Sequence, residues 1–282
     1  MIECFRAADQ GNRFEFGKNW SRFLKILNEE RILEAEKSLK QMLEMEDLKG
    51  KSFLDIGSGS GLFSLAARRL GARVNSFDYD PLSVACTHEL KRRYFPDDSN
   101  WRVEEGNVLD ENYLKTLRQF DIVYAWGVLH HTGAMWQALE NIVPMIAEKG
   151  KLFISIYNDQ GSLSRLWRAL KNFYNKSSKP VKWGIIFGIG AFLQTYSALV
   201  RLTQGKNPLP FKEWSNKKKR RGMSVWNDLV DWVGGYPFEV SKPEEIFDFY
   251  WRRGFELVKL KTCGGGLGCN EYVFVRKQRE NK

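Results

Sequence analysis

Phe53-Leu-Asp-Ile-Gly-Ser-Gly-Ser-Gly61 decides how this chain is read. An apolar stretch suited to a buried strand breaks into alternating glycines, and Leu62–Leu70 then continues with helical periodicity. Glycines at 57, 59 and 61 let the backbone turn tightly and approach a ligand without side-chain obstruction. The next strand pattern, Arg73-Val-Asn-Ser-Phe-Asp78, ends on a carboxylate 23 residues after Asp55. A carboxylate there is placed to accept hydrogen bonds from ribose hydroxyls. Together the two features predict a nucleoside-type cofactor at the carboxyl ends of a parallel sheet.

Spacing narrows the cofactor. A dinucleotide site asks for Gly-x-Gly-x-x-Gly, whereas the glycines here alternate behind an acidic residue, Asp55. No Lys-Ser/Thr follows, which excludes a phosphate-cradling P-loop. Further strand patterns run at Trp101–Leu109 (with its exit loop), Phe120–Trp126 and Gly150–Tyr157. Helical patterns at Leu62–Leu70, Pro81–Tyr94 and Met135–Ala147 fill the gaps. Such alternation predicts an α/β fold with a parallel sheet covered by helices on both faces. Phe255–Thr262 and Asn270–Lys277 read as a closing hairpin.

In these motifs the chain resembles class I S-adenosylmethionine-dependent methyltransferases, over roughly residues 50–157 and again over 244–276. It is similar to the broad group that holds the quinone-pathway methyltransferases. The resemblance implies a Rossmann-like seven-stranded, mostly parallel sheet whose last strand is antiparallel. It also implies S-adenosyl-L-methionine as cofactor. Gly57, Ser58 and Gly59 would line the methionine moiety, and Asp55 would hold its amino group directly or through water. Asp78 would take the ribose hydroxyls and Tyr79 would flank the adenine. Asn107 and Val108 occupy the adenine loop, where Asn107 departs from the family's usual Asp. Trp126 would border the reactive end. Asp80 reads as the cap of the helix opened by Pro81.

A chain of 282 residues with a 43% apolar share supports one domain, or one domain plus an insertion. The expected organisation is an N-terminal arm and helix (1–49), a core (50–157 and 242–282) and an inserted helical lid (158–241). The opening residues carry charge where a secretory signal would be apolar, and the four cysteines lack metal-like spacing. Both point to a cytoplasmic protein with reduced thiols and no bound metal.

The net charge of +10 is unevenly placed. Residues 161–225 hold fourteen Lys/Arg and one acid, for +13, while the remainder sums to −3. Inside that basic insertion, Trp183–Val200 carries no charge over 18 residues, and Lys217–Arg221 is a compact basic cluster. Three placements stay open for the apolar stretch: a helix buried over the active site, one dipping into a membrane surface, or a span. A span would put the closing hairpin across the membrane from its own sheet. Basic residues interleaved with aromatics also keep RNA methylation as an alternative.

The acceptor is read from loops at the carboxyl ends of the strands. His130 and His131 follow the fourth strand, and Tyr157 and Asp159 follow the fifth. His131, Asp159 and Tyr157 are candidate catalytic groups, with His130 beside the acceptor. Neighbours on a helical turn point about 100° apart, so only one histidine faces a pocket. Phe16 and Trp20, in an aromatic arm ahead of the helix Ile26–Met45, are placed to shield a sulfonium. Residues 221–239 are dense in Trp, Asp and Gly and suit a specificity wall through Trp226, Asp228, Asp231, Trp232 and Tyr236. Asn270, on the glycine-rich loop between the last strands, completes the acceptor side. The expected activity is methyl transfer to an O, S or N atom of a small or lipid-linked acceptor.

Overall fold

In a computed structural model the described residues are 14, 16–208, 225–264, 266 and 268–278. Lys217–Arg221 lies outside them, as do the side chains of Trp226, Asp228 and Asp231. The chain divides into two compact units, one of residues 16–164 and 238–282, the other of residues 1–15 and 165–237. The helical unit thus starts and ends a few residues inside the 158–241 expected from sequence, and the helices after residue 15 join the sheet.

The first unit holds strands β1 (Ser52–Ile56), β2 (Arg73–Asp78), β3 (Trp101–Glu105), β4 (Phe120–Trp126), β5 (Ile146–Tyr157), β6 (Phe255–Lys261) and β7 (Cys269–Arg276). They form one seven-stranded sheet in the order β3-β2-β1-β4-β5-β7-β6. β1 to β5 pair in parallel, with Leu54 opposite both Asn75 and Val123. β7 enters antiparallel between β5 and β6, Phe153 facing Val273. The Rossmann-like sheet with an antiparallel last strand is therefore present.

The helices of this unit are α1 (Phe16–Phe23), α2 (Glu29–Leu43), α3 (Leu62–Arg69), α4 (Pro81–Tyr94), α5 (Glu111–Lys115), α6 (Met135–Asn141) and α10 (Pro243–Trp251). Parallel strands are apolar on both faces because helices cover both. Phe53, Ile122 and Phe153 pack under α2, α3 and α4. Leu54, Val123 and Ile154 pack on the other face, under α6 and α10. α2 begins at Glu29, capped by Asn28, whose side chain accepts from the Arg31 N–H, rather than at Ile26. The expected helix Met135–Ala147 stops at Asn141. Pro144 lies in a short 3₁₀ turn, Val143–Met145, and β5 starts directly after it. Proline has no N–H to continue an α-helix, so the periodicity overran a real boundary.

The second unit contains most of α7 (Ser162–Lys176), together with α8 (Lys179–Thr203) and α9 (Val225–Gly234). Its small core gathers Tyr174, Ile186 and Val233, with Ile189 and Leu229 against them. A helix buried along its length is not what α8 forms: within its most apolar window 6% of residues are buried.

Candidate active site

β1 lies at the point where the strand order reverses, between β2 and β4. In open α/β sheets the crevice outside the carboxyl ends at that reversal is where ligands bind. The glycine turn fills its rim. Gly57, Gly59 and Gly61 all adopt positive φ, at 70°, 55° and 80°. A Cβ on Gly57 would sit 2.5 Å from the Val128 methyls, so only glycine fits the close passage of the two strand ends.

The turn is stitched to the end of β2. The Gly57 and Ser58 N–H groups both donate to the Phe77 carbonyl, at 2.8 and 3.1 Å. Gly59 N–H donates to Asp78 Oδ2 at 2.9 Å, and Asp80 N–H donates to Asp78 Oδ1 at 2.9 Å. Burial pushes the Asp78 carboxyl up to about 6 despite those donors. Tyr79, next along, is half-buried.

Asp55 lies below the turn, fully buried, at the end of a directed hydrogen-bond chain. Trp101 Nε1 donates to Ser76 Oγ at 2.9 Å, the Ser76 and Ser64 hydroxyls meet at 2.7 Å, and Ser64 Oγ donates to Asp55 Oδ2 at 2.5 Å. Ser64 gives its one hydroxyl proton to Asp55, so Ser76 must be the donor to Ser64, and the chain runs from the indole N–H to Asp55 as terminal acceptor. Burial, with Asp78 nearby as a like charge, pushes the Asp55 carboxyl up to about 7. The turn is thus floored by two carboxyls whose charged forms are costly without a cation. Each binds a proton more readily folded than unfolded, where 3.8 is ordinary. Both therefore cost stability increasingly as pH rises from about 4 towards 7.

The loop leaving β3 is ordered by its own polar groups. Asn107 Oδ1 accepts from the Leu109 N–H at 2.9 Å, and the Val108 carbonyl accepts from Asn141 Nδ2 at 3.0 Å. Trp126 ends β4 with 43% of its surface exposed. The following Gly127 N–H is held by Ser155 Oγ at 2.8 Å.

α1 is clasped onto the same rim. Asp80 caps α4 through Oδ1, which accepts from the Leu82 N–H at 2.9 Å. Its other oxygen accepts from the Gly17 N–H at 2.8 Å. Trp20 lies over the glycine turn, where a Cβ on Gly59 would be 3.0 Å from its indole. Phe16 sits 5.0 Å, ring to ring, from His131. Sequence reasoning placed Asp80 as a cap and missed its second role, because nothing local signals a partner 63 residues upstream.

An aromatic cluster forms the opposite wall. His130 is buried, its ring 4.2 Å from Tyr157 and 4.5 Å from His131. Tyr157 in turn packs 5.0 Å from Phe238. The less buried His131 is the histidine that meets Phe16, so the two rings divide into one wall and one facing group. Glu239, unremarked in the sequence, holds this loop. Its N–H donates to the His130 carbonyl at 3.0 Å, and its carboxylate accepts from the Met135 N–H at the start of α6.

Other candidates take structural positions. Asp159 Oδ1 accepts from the Gly161 N–H at 2.9 Å, turning the chain into α7. Asn270 is buried rather than presented on a rim. Its Oδ1 accepts from the Cys263 N–H at 3.1 Å and its Nδ2 donates to Asn158 Oδ1 at 3.0 Å, pinning the β6–β7 loop to the exit of β5. In the helical unit Trp232 packs 4.0 Å from Trp167, and the Tyr236 carbonyl accepts from the Phe14 N–H at 3.1 Å.

A family profile described as "Methyltransferase domain" matches residues 27–187. Curated relatives include the ubiquinone biosynthesis O-methyltransferase of Coxiella burnetii, 30% identical over 122 residues, which are 43% of this chain and 49% of the relative. That of Aeromonas salmonicida is 32% identical over 116 residues, 39% of this chain and 45% of the relative. The matches thus span about half the length of these relatives. Among solved structures, magnesium protoporphyrin IX methyltransferase from Synechocystis PCC 6803 with bound SAH has a TM-score of 0.52 at 13% identity, covering 88% of this chain and 84% of that one. An O-methyltransferase family protein from Burkholderia thailandensis has a TM-score of 0.53 at 11% identity, covering 88% and 58%. At those identities the likeness is one of fold.

Proposed function

The chain belongs to the methyltransferase domain family, and from that premise we propose that it binds S-adenosyl-L-methionine and methylates an oxygen, sulfur or nitrogen of a small or lipid-linked acceptor. The observation that carries this is the pair of carboxyls, Asp55 buried and Asp78 half-buried, beneath a turn of positive-φ glycines over which Trp20 lies. A cationic amino group and a sulfonium suit that floor; phosphates do not. When bound, the cofactor supplies a methyl group activated for in-line displacement.

The chain's own residues bind, align and exclude water. Gly57, Ser58 and Gly59 cradle the methionine portion over Asp55. Asp78 accepts from the ribose hydroxyls, Tyr79 flanks the adenine, and Asn107 and Val108 border it. Trp126 bounds the reactive end, while Trp20 and Phe16 close the aromatic arm over it. The kinship with O-methyltransferases favours a hydroxyl acceptor, which needs a base. His131 takes that role, oriented by Phe16, Tyr157 and the buried His130. Asp159 acts through the turn it builds, and Asn270 through the loop it pins. Trp226, Asp231, Trp232 and Tyr236 are the proposed acceptor wall.

Two measurements test this. Calorimetric affinity for S-adenosylhomocysteine, which keeps the amino group without the sulfonium, is expected to weaken by at least about 30-fold between pH 8 and pH 5.5. Protonating Asp55 removes the charge that the amino group needs, protonating Asp78 weakens the acceptor of the ribose hydroxyls, and each pH unit below the pKa is a factor of ten. A flat profile across that range would sink the two-carboxylate reading. His131→Ala is expected to keep S-adenosylhomocysteine affinity within about threefold while lowering kcat by about 100-fold, the scale of a lost general base. Labelled-methyl transfer to quinol, lipid, thiol and RNA pools reads kcat and sorts the acceptors. Transfer to RNA alone would replace the small-acceptor reading, and an unchanged kcat would remove His131.

A further inference from the structure

α8 carries an apolar surface that its own unit does not use. Its first half is held from both sides of the sequence: Ile186 is buried against Tyr174 of α7 and Val233 of α9, and Leu229 closes on Gly190. Beyond residue 190 that packing stops. Phe192, Tyr196, Leu199 and Leu202 are 68%, 61%, 57% and 56% exposed. At 100° per residue they fall within about 120° of one another on the helix, while Gln194, Ser197 and Arg201 share the opposite stripe. This half is amphipathic, and its apolar face looks outward.

Charge identifies what covers it. Residues 162–208 contain eight Lys/Arg and no Asp or Glu, and all but the buried Lys171 are at least partly exposed. A second copy would bring an equal positive charge against this one, whereas an anionic lipid surface complements it. We propose that α8 docks this unit onto an anionic membrane, with Phe192, Tyr196, Leu199 and Leu202 entering the headgroup region. Among the described residues α8 alone is long and apolar enough to cross a bilayer. Trp183 and Phe187, 54% and 61% exposed, extend the apolar face into the first half, but Ile185, Ile186 and Ile189 there pack against protein. The stretch free of packing on every side is thus residues 191–203, about 20 Å at 1.5 Å per residue against a hydrocarbon thickness of about 30 Å. The packing of α9 on its first half also keeps the chain before and after α8 on one side. The helix therefore lies in the surface.

Vesicle co-sedimentation of the full chain tests this directly and needs neither cofactor nor acceptor, so its failure leaves the methyl-transfer reading standing. The probes are phosphatidylcholine vesicles with and without 30% phosphatidylglycerol. The wild type is expected to sediment with the anionic vesicles, several-fold less at 0.5 M than at 0.1 M salt. Phe192→Ser/Leu199→Ser, with circular dichroism and S-adenosylhomocysteine affinity as fold controls, is expected to bind about tenfold more weakly. The apolar swap Phe192→Leu/Leu199→Phe is expected to keep binding. No sedimentation of wild type, equal binding to neutral vesicles, or a serine variant that binds like wild type overturns the proposal. So does light scattering that shows a dimer lost in the serine variant without any vesicle binding, which would assign the face to a second copy.

Discussion

Asp78→Ala is expected to weaken binding of S-adenosylmethionine and S-adenosylhomocysteine by at least about 100-fold. Two ribose hydroxyls donating to one carboxylate are charge-assisted bonds of about 1.5–3 kcal/mol each. Their loss is about 3–6 kcal/mol, and 1.4 kcal/mol is a factor of ten. The variant is informative because the fold is expected to tolerate it. Above pH 6 the wild-type carboxyl is held charged against its burial. Its removal relieves that cost and so offsets the freed N–H groups of Gly59 and Asp80. Calorimetry beside a thermal melt reads both: lost binding with a melting temperature within a few degrees of wild type is the expected pair. Affinity within threefold of wild type would mean that Asp78 does not face the ribose.

Gly61→Ala is expected to destabilise the protein by about 2–5 kcal/mol, a third or more of a typical domain's stability. Its φ of 80° strains any L-residue by about 1–2 kcal/mol. An added Cβ would also lie 2.8 Å from Thr87 Cα, where only backbone movement of α4 makes room, at about 1–3 kcal/mol more. Gly127→Ala is the internal control. Its φ of 76° is nearly the same, but a Cβ there meets nothing within 4 Å. The control should lose only the strain. Equal losses in chemical denaturation would show that the contact between α3's cap and α4 is softer than its geometry implies.

The sheet was legible in the sequence because its strands are apolar runs bounded by glycine and charge. Phe120–Trp126 and the helix Pro81–Tyr94 were readable to the residue. The glycine turn was legible for the same reason: a turn built from glycines and closed by a carboxylate is a local pattern. What local pattern cannot carry is pairing at a distance. Ser64, Ser76 and Trp101 look like ordinary helix and strand residues, and only the fold joins them into a chain ending on Asp55. Glu239 and Asn270 are similar. Each is a polar residue whose meaning is the loop it meets, and Asn270 was misread as a rim contact because a glycine-rich neighbourhood suggests exposure. The apolar run of α8 was visible, but composition alone does not say whether such a helix is covered.

The position of β7 has a consequence for how the protein is made. β5 ends at Tyr157, yet its antiparallel neighbour begins at Cys269, after the whole helical unit has been translated. At roughly 5–20 residues per second the edge of β5 stands open for on the order of ten seconds on the ribosome. That edge is Leu152-Phe-Ile-Ser-Ile156, an apolar strand with unpaired backbone, the kind of template that recruits a wrong partner. The insertion thus sets the length of a hazardous interval in biosynthesis, and every residue added to it would lengthen the wait for the strand that ends it.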